Sequence, residues 1–231
     1  MSAANRSKTD RIAHDNYPTP AWVTRALLEE LCGELPHGVW YDPCCGDGAI
    51  VRAVQAAVAS KLISEREWIT CDVRNVPAAH GGLHMQGDYL TGPSFGDKVD
   101  LIITNPPFSL ADAIARKAVA EAPAVALLLS LSWPKAGKRA QWLRDHPPSC
   151  YPIPQPIPFV TCWSCNNDAC GWQGSSLPDQ PGWGCCPDCA GKLRRSSGDM
   201  VGYGWYVWGL TDQPEYRVLP HTSLADRRAA A

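Results

Sequence analysis

The sequence predicts an α/β protein built on a doubly wound, mostly parallel sheet with a small inserted module, and three stretches carry that prediction. Val39-Trp40-Tyr41 runs into Asp42-Pro43-Cys44-Cys45-Gly46-Asp47-Gly48 and then into the alanine-rich, amphipathic stretch Val51 to Ala59. Strand, glycine turn and helix in that order form the first unit of such a sheet. Val99 to Thr104 is an apolar run rich in branched aliphatic residues that ends in Asn105-Pro106-Pro107-Phe108. It reads as a buried parallel strand stopped by proline, which cannot donate to a ladder and restricts the residue before it. Six of the 11 cysteines crowd between Cys162 and Cys189, the grouping of a metal site.

At 231 residues the chain can bury a full core, and its length suits one domain with room for a small module. A net charge of -2 excludes a protein that coats nucleic acid non-specifically, because that needs a broad basic surface. Any nucleic-acid contact must be local. The longest apolar stretch, Ala122 to Leu131, is too short to cross a bilayer, and Met1 to Asp10 lacks the apolar core of a signal peptide. A soluble cytoplasmic protein is expected, with residues 1–14 as a flexible polar tail.

In Asp15-Asn16-Tyr17-Pro18-Thr19-Pro20, Thr19 is placed to cap a helix whose first position is Pro20, with Trp22, Val23, Leu27, Leu28 and Leu31 at helical spacing. The glycines of the next turn let a backbone approach a ligand, and the helix behind them offers free N–H groups. Val51 stands where a dinucleotide fingerprint would carry its third glycine. Glu67 to Asp72 is a second strand ending in an acid, a position from which a carboxylate can accept from a ribose hydroxyl. Leu83 to Gln86 is a weak strand followed by Gly87-Asp88-Tyr89-Leu90, another acid with Tyr89 and Leu90 able to flank a flat ring.

The proline-stiffened loop after the next strand can hold the Asn105 amide, the Pro106 carbonyl and the Phe108 ring in fixed positions, two acceptors for an amine beside a stacking face. Ala111 to Ala122 reads as a helix and Ala124 to Leu129 as a buried strand. Lys135, Lys138, Arg139 and Arg144, interleaved with Trp133 and Trp142, form either a solvated helix face or a phosphate contact. Pro147 to Pro158 reads as an extended connection into a short strand at Phe159-Val160. Tyr203 to Trp208 alternates like a strand, and the residues after Leu210 read as a loose tail.

The order Asp15 to Pro20, Asp42-Pro43-x-x-Gly46-x-Gly48, Asp72, Gly87-Asp88 and Asn105-Pro106-Pro107-Phe108 resembles the class I S-adenosylmethionine-dependent methyltransferases. Within them it is similar to the DNA N6-adenine enzymes, most of all the compact phage-encoded ones. The resemblance implies a Rossmann-like methyltransferase sheet over residues 15–160 and 200–215, which leaves the cysteine-rich stretch 161–199 as an inserted zinc ribbon and 216–231 as a tail. It implies that Asp42, Pro43, Gly46 and Gly48 cradle the methionine moiety, that Asp72 holds the ribose, and that Asp88 with Tyr89 meets the cofactor's adenine. Tyr17, Thr19 and Pro20 match the loop that closes over the cofactor. The implied substrate is DNA inside a bacterial or phage-infected cell. A flipped adenine would stack on Phe108, an interaction worth about 1–3 kcal/mol, while Asn105 and Pro106 accept its two amine hydrogens. Cytosine N4, RNA adenine and a protein glutamine amide offer the same kind of amine, and a dead methyltransferase fold that only binds nucleic acid is a different class. Cys44 and Cys45 lie in the cofactor turn and read as packing residues.

Cys162-x-x-Cys165 and Cys186-x-x-Cys189 have the spacing of four thiolates around one zinc ion, with Cys165 and Cys170 as a competing ligand pair. Four thiolates leave no open coordination site, so the zinc is structural. The ribbon is expected beside the pocket, with Lys192, Arg194 and Arg195 among its nucleic-acid contacts.

Overall fold

A four-residue strand, β1 (Val39–Asp42), holds the centre of the molecule, reached after helix α1 (Ala21–Glu30) and followed by α2 (Ala49–Ala59). The computed structural model describes residues 17–157 and 201–222, the backbone of 162–165, 173–174 and 193–196, and residue 189. The remaining elements are β2 (Glu67–Asp72), β3 (Leu83–Gln86), β4 (Leu101–Thr104), α3 (Ala111–Glu121), β5 (Ala124–Ser130), α4 (Ala140–Asp145), β6 (Ser149–Pro152), β7 (Cys162–Cys165), β8 (Gln173–Gly174), β9 (Leu193–Ser196) and β10 (Tyr203–Trp208). The chain divides into two compact units, residues 1–155 with 202–231, and residues 156–201.

In the first unit seven strands form one sheet in the order β3-β2-β1-β4-β5-β10-β6. β1 pairs in parallel with β2 on one side and β4 on the other, β4 pairs with β5 and β2 with β3. β10 alone runs against its neighbours, with Trp205 opposite Leu128 of β5 and Tyr151 of β6. Every residue of β4 and β10 is buried, as expected of strands covered on both faces. On one face Tyr41, Ile102, Val125 and Leu127 pack with Ala111, Ile114, Ala115 and Ala118 of α3. α1 packs on α2, and the Trp205 indole donates to the Val23 carbonyl at 3.1 Å, tying α1 to β10. Among the described residues no helix is long and apolar enough to cross a membrane.

Three local readings change. No side-chain oxygen caps α1, whose first helical residue is Ala21, and Pro20 stands at the cap position with Thr19 buried beside it. The sixth strand lies at Ser149–Pro152, inside the stretch read as a connection; prolines obscured it because β6 is the sheet's edge, where a missing donor is tolerated. Phe159 and Val160 lie outside the described residues. The C-terminal segment is also anchored: Cys150 N donates to the Glu215 carbonyl at 2.7 Å, Arg217 N to that of Cys150, and Leu219 N to that of Pro152. Arg217 further pairs with Glu30 at 2.6 Å. This stretch covers a sheet edge that would otherwise offer unpaired backbone groups.

In the second unit β7, β8 and β9 form an antiparallel sheet in the order β8-β7-β9, with Cys162 opposite Ser196 and Cys165 opposite Leu193.

Gly209 ends β10 with φ of 74°, and a Cβ there would sit 1.9 Å from the Pro123 carbonyl oxygen that precedes β5. Gly209→Ala is expected to cost about 2–3 kcal/mol in urea unfolding, since strain and backbone overlap act together; an unchanged midpoint would show that this junction is not tight.

Candidate active site

Parallel strands put their carboxyl ends on one edge of the sheet, so the segments that follow β1, β2 and β4 meet there. Asp42 closes β1, Asp72 closes β2, and Asn105 follows Thr104 of β4. All three line one cavity of about 540 Å³. Pro43, Gly46, Asp88 and Tyr89 line it as well, with Tyr17 and Thr19 ahead of α1 and Pro107 after Asn105. Pro20, Gly48, Pro106 and Phe108 do not form its wall. Gly48 instead turns the chain into α2 with φ of 82°, where an added Cβ would meet the Ala79 Cβ at 2.3 Å. Pro106 is buried directly behind the wall.

The Asn105 amide is fixed. Its Nδ2 donates to the Tyr17 carbonyl at 2.8 Å, leaving Oδ1 as the acceptor end of the group. Phe108, expected to offer an open face, is already engaged by two rings: it stacks with Tyr17 at 5.9 Å and 19°, and with Tyr203 at 5.5 Å and 28°.

The two strand-end acids are pushed in opposite directions. Asp42 is 1 % exposed, and burial pushes its carboxyl up to about 7. Its Oδ1 accepts from Cys44 N at 3.2 Å, whereas Oδ2 has no partner among the described residues. Burial would raise Asp72 too, but hydrogen bonds from Arg74 and Gly46 outweigh it and hold this carboxyl below the usual range. Asp88 accepts from Leu90 N at 2.9 Å. Tyr89 is chiefly a core residue: its hydroxyl donates to Glu121 at 2.8 Å and its ring meets Tyr41 edge-on. Burial raises Cys44 well above the ordinary thiol range and pushes Cys45 up to about 12. Both are neutral thiols in the wall, consistent with packing and not with nucleophilic catalysis.

Sequence reasoning missed Arg74, whose side chain binds Asp72 and lines the cavity. A cation two residues past a strand-end acid was its only signal. The basic stretch resolves in part. Arg139 is held by Asp112 at 3.3 Å and lies over the Trp133 ring, while Arg144 donates to Gln141; Lys135 and Lys138 are exposed. Of the metal ligands, Cys186 and the side chains of Cys162 and Cys165 lie outside the described residues, and Cys189 is exposed. Among the described residues no cluster of three or more metal-ligating side chains occurs.

A solved structure from Listeria monocytogenes, provisionally described as a class I S-adenosylmethionine-dependent methyltransferase, superposes with a TM-score of 0.56 at 12% identity, covering 94% of this chain and 69% of that one. The chain carries the class I methyltransferase fold. A structure from Pyrococcus horikoshii, provisionally described as an RNA methyltransferase, matches with a TM-score of 0.47 at 15% identity over 90% of this chain and 92% of that one. No protein-family model and no curated protein matches the sequence.

Tested against this methyltransferase-fold cavity, S-adenosylmethionine fits the residues present. Asp42 Oδ2 is a buried acceptor without a hydrogen bond among the described residues, of the kind the ammonium of an amino acid would supply, and the carboxyls of Asp72 and Asp88 line the same space.

Asp42 also sets a pH dependence. Its folded pKa lies above the unfolded value, so the stability contributed by the protonated form is complete below about 4 and is lost as pH rises through about 7. Wild type should lose stability relative to Asp42→Asn across that window, with a slope approaching about 1.4 kcal/mol per pH unit. Parallel urea-unfolding curves for the two proteins would place Asp42 in contact with water.

Proposed function

We propose that the protein is an S-adenosylmethionine-dependent methyltransferase acting on the exocyclic N6 amine of adenine in DNA, in the cytoplasm of a bacterial or phage-infected cell. The observation that carries this reading is the shared wall: Asn105, with its amide turned by the Tyr17 carbonyl, lines the same cavity as Asp42, Gly46 and Asp72. Acceptor and cofactor cradle therefore lie within one small volume. When bound, the cofactor supplies an electrophilic methyl group on a sulfonium.

The chain's own residues do the rest by position. Asn105 Oδ1 and the Pro106 carbonyl accept the two amine hydrogens, which turns the nitrogen lone pair toward the donor and stabilises the positive charge that develops on nitrogen. Phe108 stacks on the extruded base once Tyr17 or Tyr203 yields its face. Asp42 holds the cationic end of the cofactor, and Asp72 and Asp88 hold its ribose and adenine. The neutral Cys44 and Cys45 take no covalent part.

The test is incubation with tritiated S-adenosylmethionine and plasmid DNA, RNA or protein, followed by digestion to nucleosides or amino acids. Label in N6-methyl-2′-deoxyadenosine from DNA is expected, and label solely in N4-methyl-2′-deoxycytidine, in RNA or in glutamine would replace the substrate. Asn105→Ala should lower kcat by about 10²–10³-fold with cofactor affinity little changed, since one acceptor of the developing charge is lost; full activity would remove Asn105 from the chemistry.

The inserted unit is proposed as a zinc ribbon, held by Cys162, Cys165, Cys186 and Cys189, that contacts DNA through Lys192, Arg194 and Arg195. Support comes from the paired Cys-x-x-Cys spacing and from a small antiparallel sheet whose β7 starts and ends on Cys162 and Cys165. Zinc would contribute on the order of 10 kcal/mol to folding such a segment. One zinc per chain is expected by elemental mass spectrometry, with loss on Cys162→Ser. Alanine at the three basic positions should weaken DNA binding and flatten its salt dependence. Metal-free protein, or an unchanged salt slope, would overturn the respective half.

A further inference from the structure

Asp72 is already fully bonded by its own chain. Arg74 N and Nε donate to Oδ1 at 2.9 and 2.8 Å, while Gly46 N and Arg74 Nη2 donate to Oδ2 at 2.8 and 3.1 Å. These contacts take the roughly four acceptor positions that a carboxylate has. Two of the donors are backbone N–H groups, built into the turns after β1 and β2. The other two belong to a single guanidinium, whose side chain is 27% exposed and lines the cavity.

The loop that carries Arg74 is fastened elsewhere along its length. Gln86 Nε2 donates to the Val73 carbonyl at 3.4 Å, His84 Nε2 donates to that of Val76 at 2.8 Å, and Gln55 Nε2 donates to that of Ala79 at 3.3 Å. With the backbone pinned on both sides of the residue, movement at Arg74 is movement of its side chain.

We propose that Arg74 is a self-ligand of the ribose-binding acid, occupying the two Asp72 acceptor positions that the vicinal hydroxyls of an adenosine-containing cofactor require, and that the cofactor seats only as the guanidinium swings out. This rests on the reading of the cavity as an S-adenosylmethionine site. The chemistry of exchange is matched: a guanidinium presents two N–H donors side by side to one carboxylate, and a ribose presents its two O–H donors to the same edge. The exchange is uneven, because a charge-assisted pair gives way to neutral hydroxyls. Arg74 therefore lowers affinity for every adenosine-bearing ligand, product as well as donor, and keeps Asp72 satisfied between turnovers.

Calorimetric titration of wild type, Arg74→Met and Arg74→Lys with adenosine and with S-adenosylhomocysteine tests this, alongside the Arg74 Nε–H resonance of the wild type. Arg74→Met should bind both ligands about tenfold more tightly, the equivalent of one charge-assisted bond no longer broken, with Arg74→Lys between it and wild type. In the saturated wild type the Nε–H signal should shift and exchange faster with water. Equal or weaker binding by Arg74→Met, or an Nε–H signal unmoved at saturation, would overturn the proposal. So would tighter binding confined to S-adenosylhomocysteine with adenosine unchanged, which places the effect outside the ribose. If Arg74→Met fails to fold, the lysine variant and the wild-type resonance decide. Wild type that binds S-adenosylhomocysteine with Arg74→Met no tighter refutes the self-ligand alone; binding to none of the three proteins refutes the cofactor reading along with it.

Discussion

β1 is four residues long and is hydrogen-bonded in parallel to a strand on each side, and Asp42, Asp72 and Asn105 take their positions in the cavity from that pairing. The register sets Asp42 beside Thr70 of β2, and Tyr41 beside Ile69 of β2 and Ile102 of β4. Because all three strands point the same way, the acid that ends β1, the acid that ends β2 and the amide that follows β4 leave the sheet on one edge. A one-residue slip in β1 would send Tyr41 out of the α3-side cluster and turn Asp42 to the opposite face. The apolar side chains of a very short strand thus fix the geometry of polar groups that they do not touch.

At that edge two carboxyls of the same chemistry have their pKa values driven in opposite directions by burial and by the donors around them. Asp42 is fully buried, and the Thr104 hydroxyl and the Cys44 N–H offset only part of the cost of its charge, so its pKa rises. Asp72 has backbone donors from two turns and a guanidinium, and stays charged. Pairs of acids driven apart in this way mark functional clefts more often than structural ones. The contrast suits a ligand with separate tasks for its two ends, a cation to complete Asp42 and hydroxyls to engage Asp72. It also sets the cavity apart from a generic apolar groove, since each acid demands a different partner.

Most of the framework was legible in the sequence, because its signals are local. β2, β3 and β10 fall where the residues placed them, and the glycine turn between β1 and α2 and the proline stop after β4 stand where backbone chemistry demands. What failed depended on partners distant in the chain. β6 is proline-bounded and reads as a linker until β10 is known to lie beside it. Residues 215–219 read as a tail because nothing within them reveals that an uncovered edge awaits. Tyr89 resembles a ligand-flanking ring by position, yet Glu121 and Tyr41, from elsewhere in the chain, draw it largely into the core. Arg74 was invisible for the same reason, since its meaning comes from the carboxylate that its turn folds it against.

Tyr17 brings these threads together. Its carbonyl fixes the Asn105 amide while its ring stacks on Phe108, so a single residue engages both ends of the Asn105 to Phe108 loop. The two duties reside in different parts of the residue. A rotation about the side-chain bond uncovers Phe108 and leaves the carbonyl in place, so the amide stays oriented while the ring moves. Tyr203, the second ring stacked on Phe108, likewise has its backbone held, between Ser130 of β5 and the N–H of Ile153. Arg74 shows the same division, with a backbone N–H and a side chain that both bond Asp72 in the cavity wall.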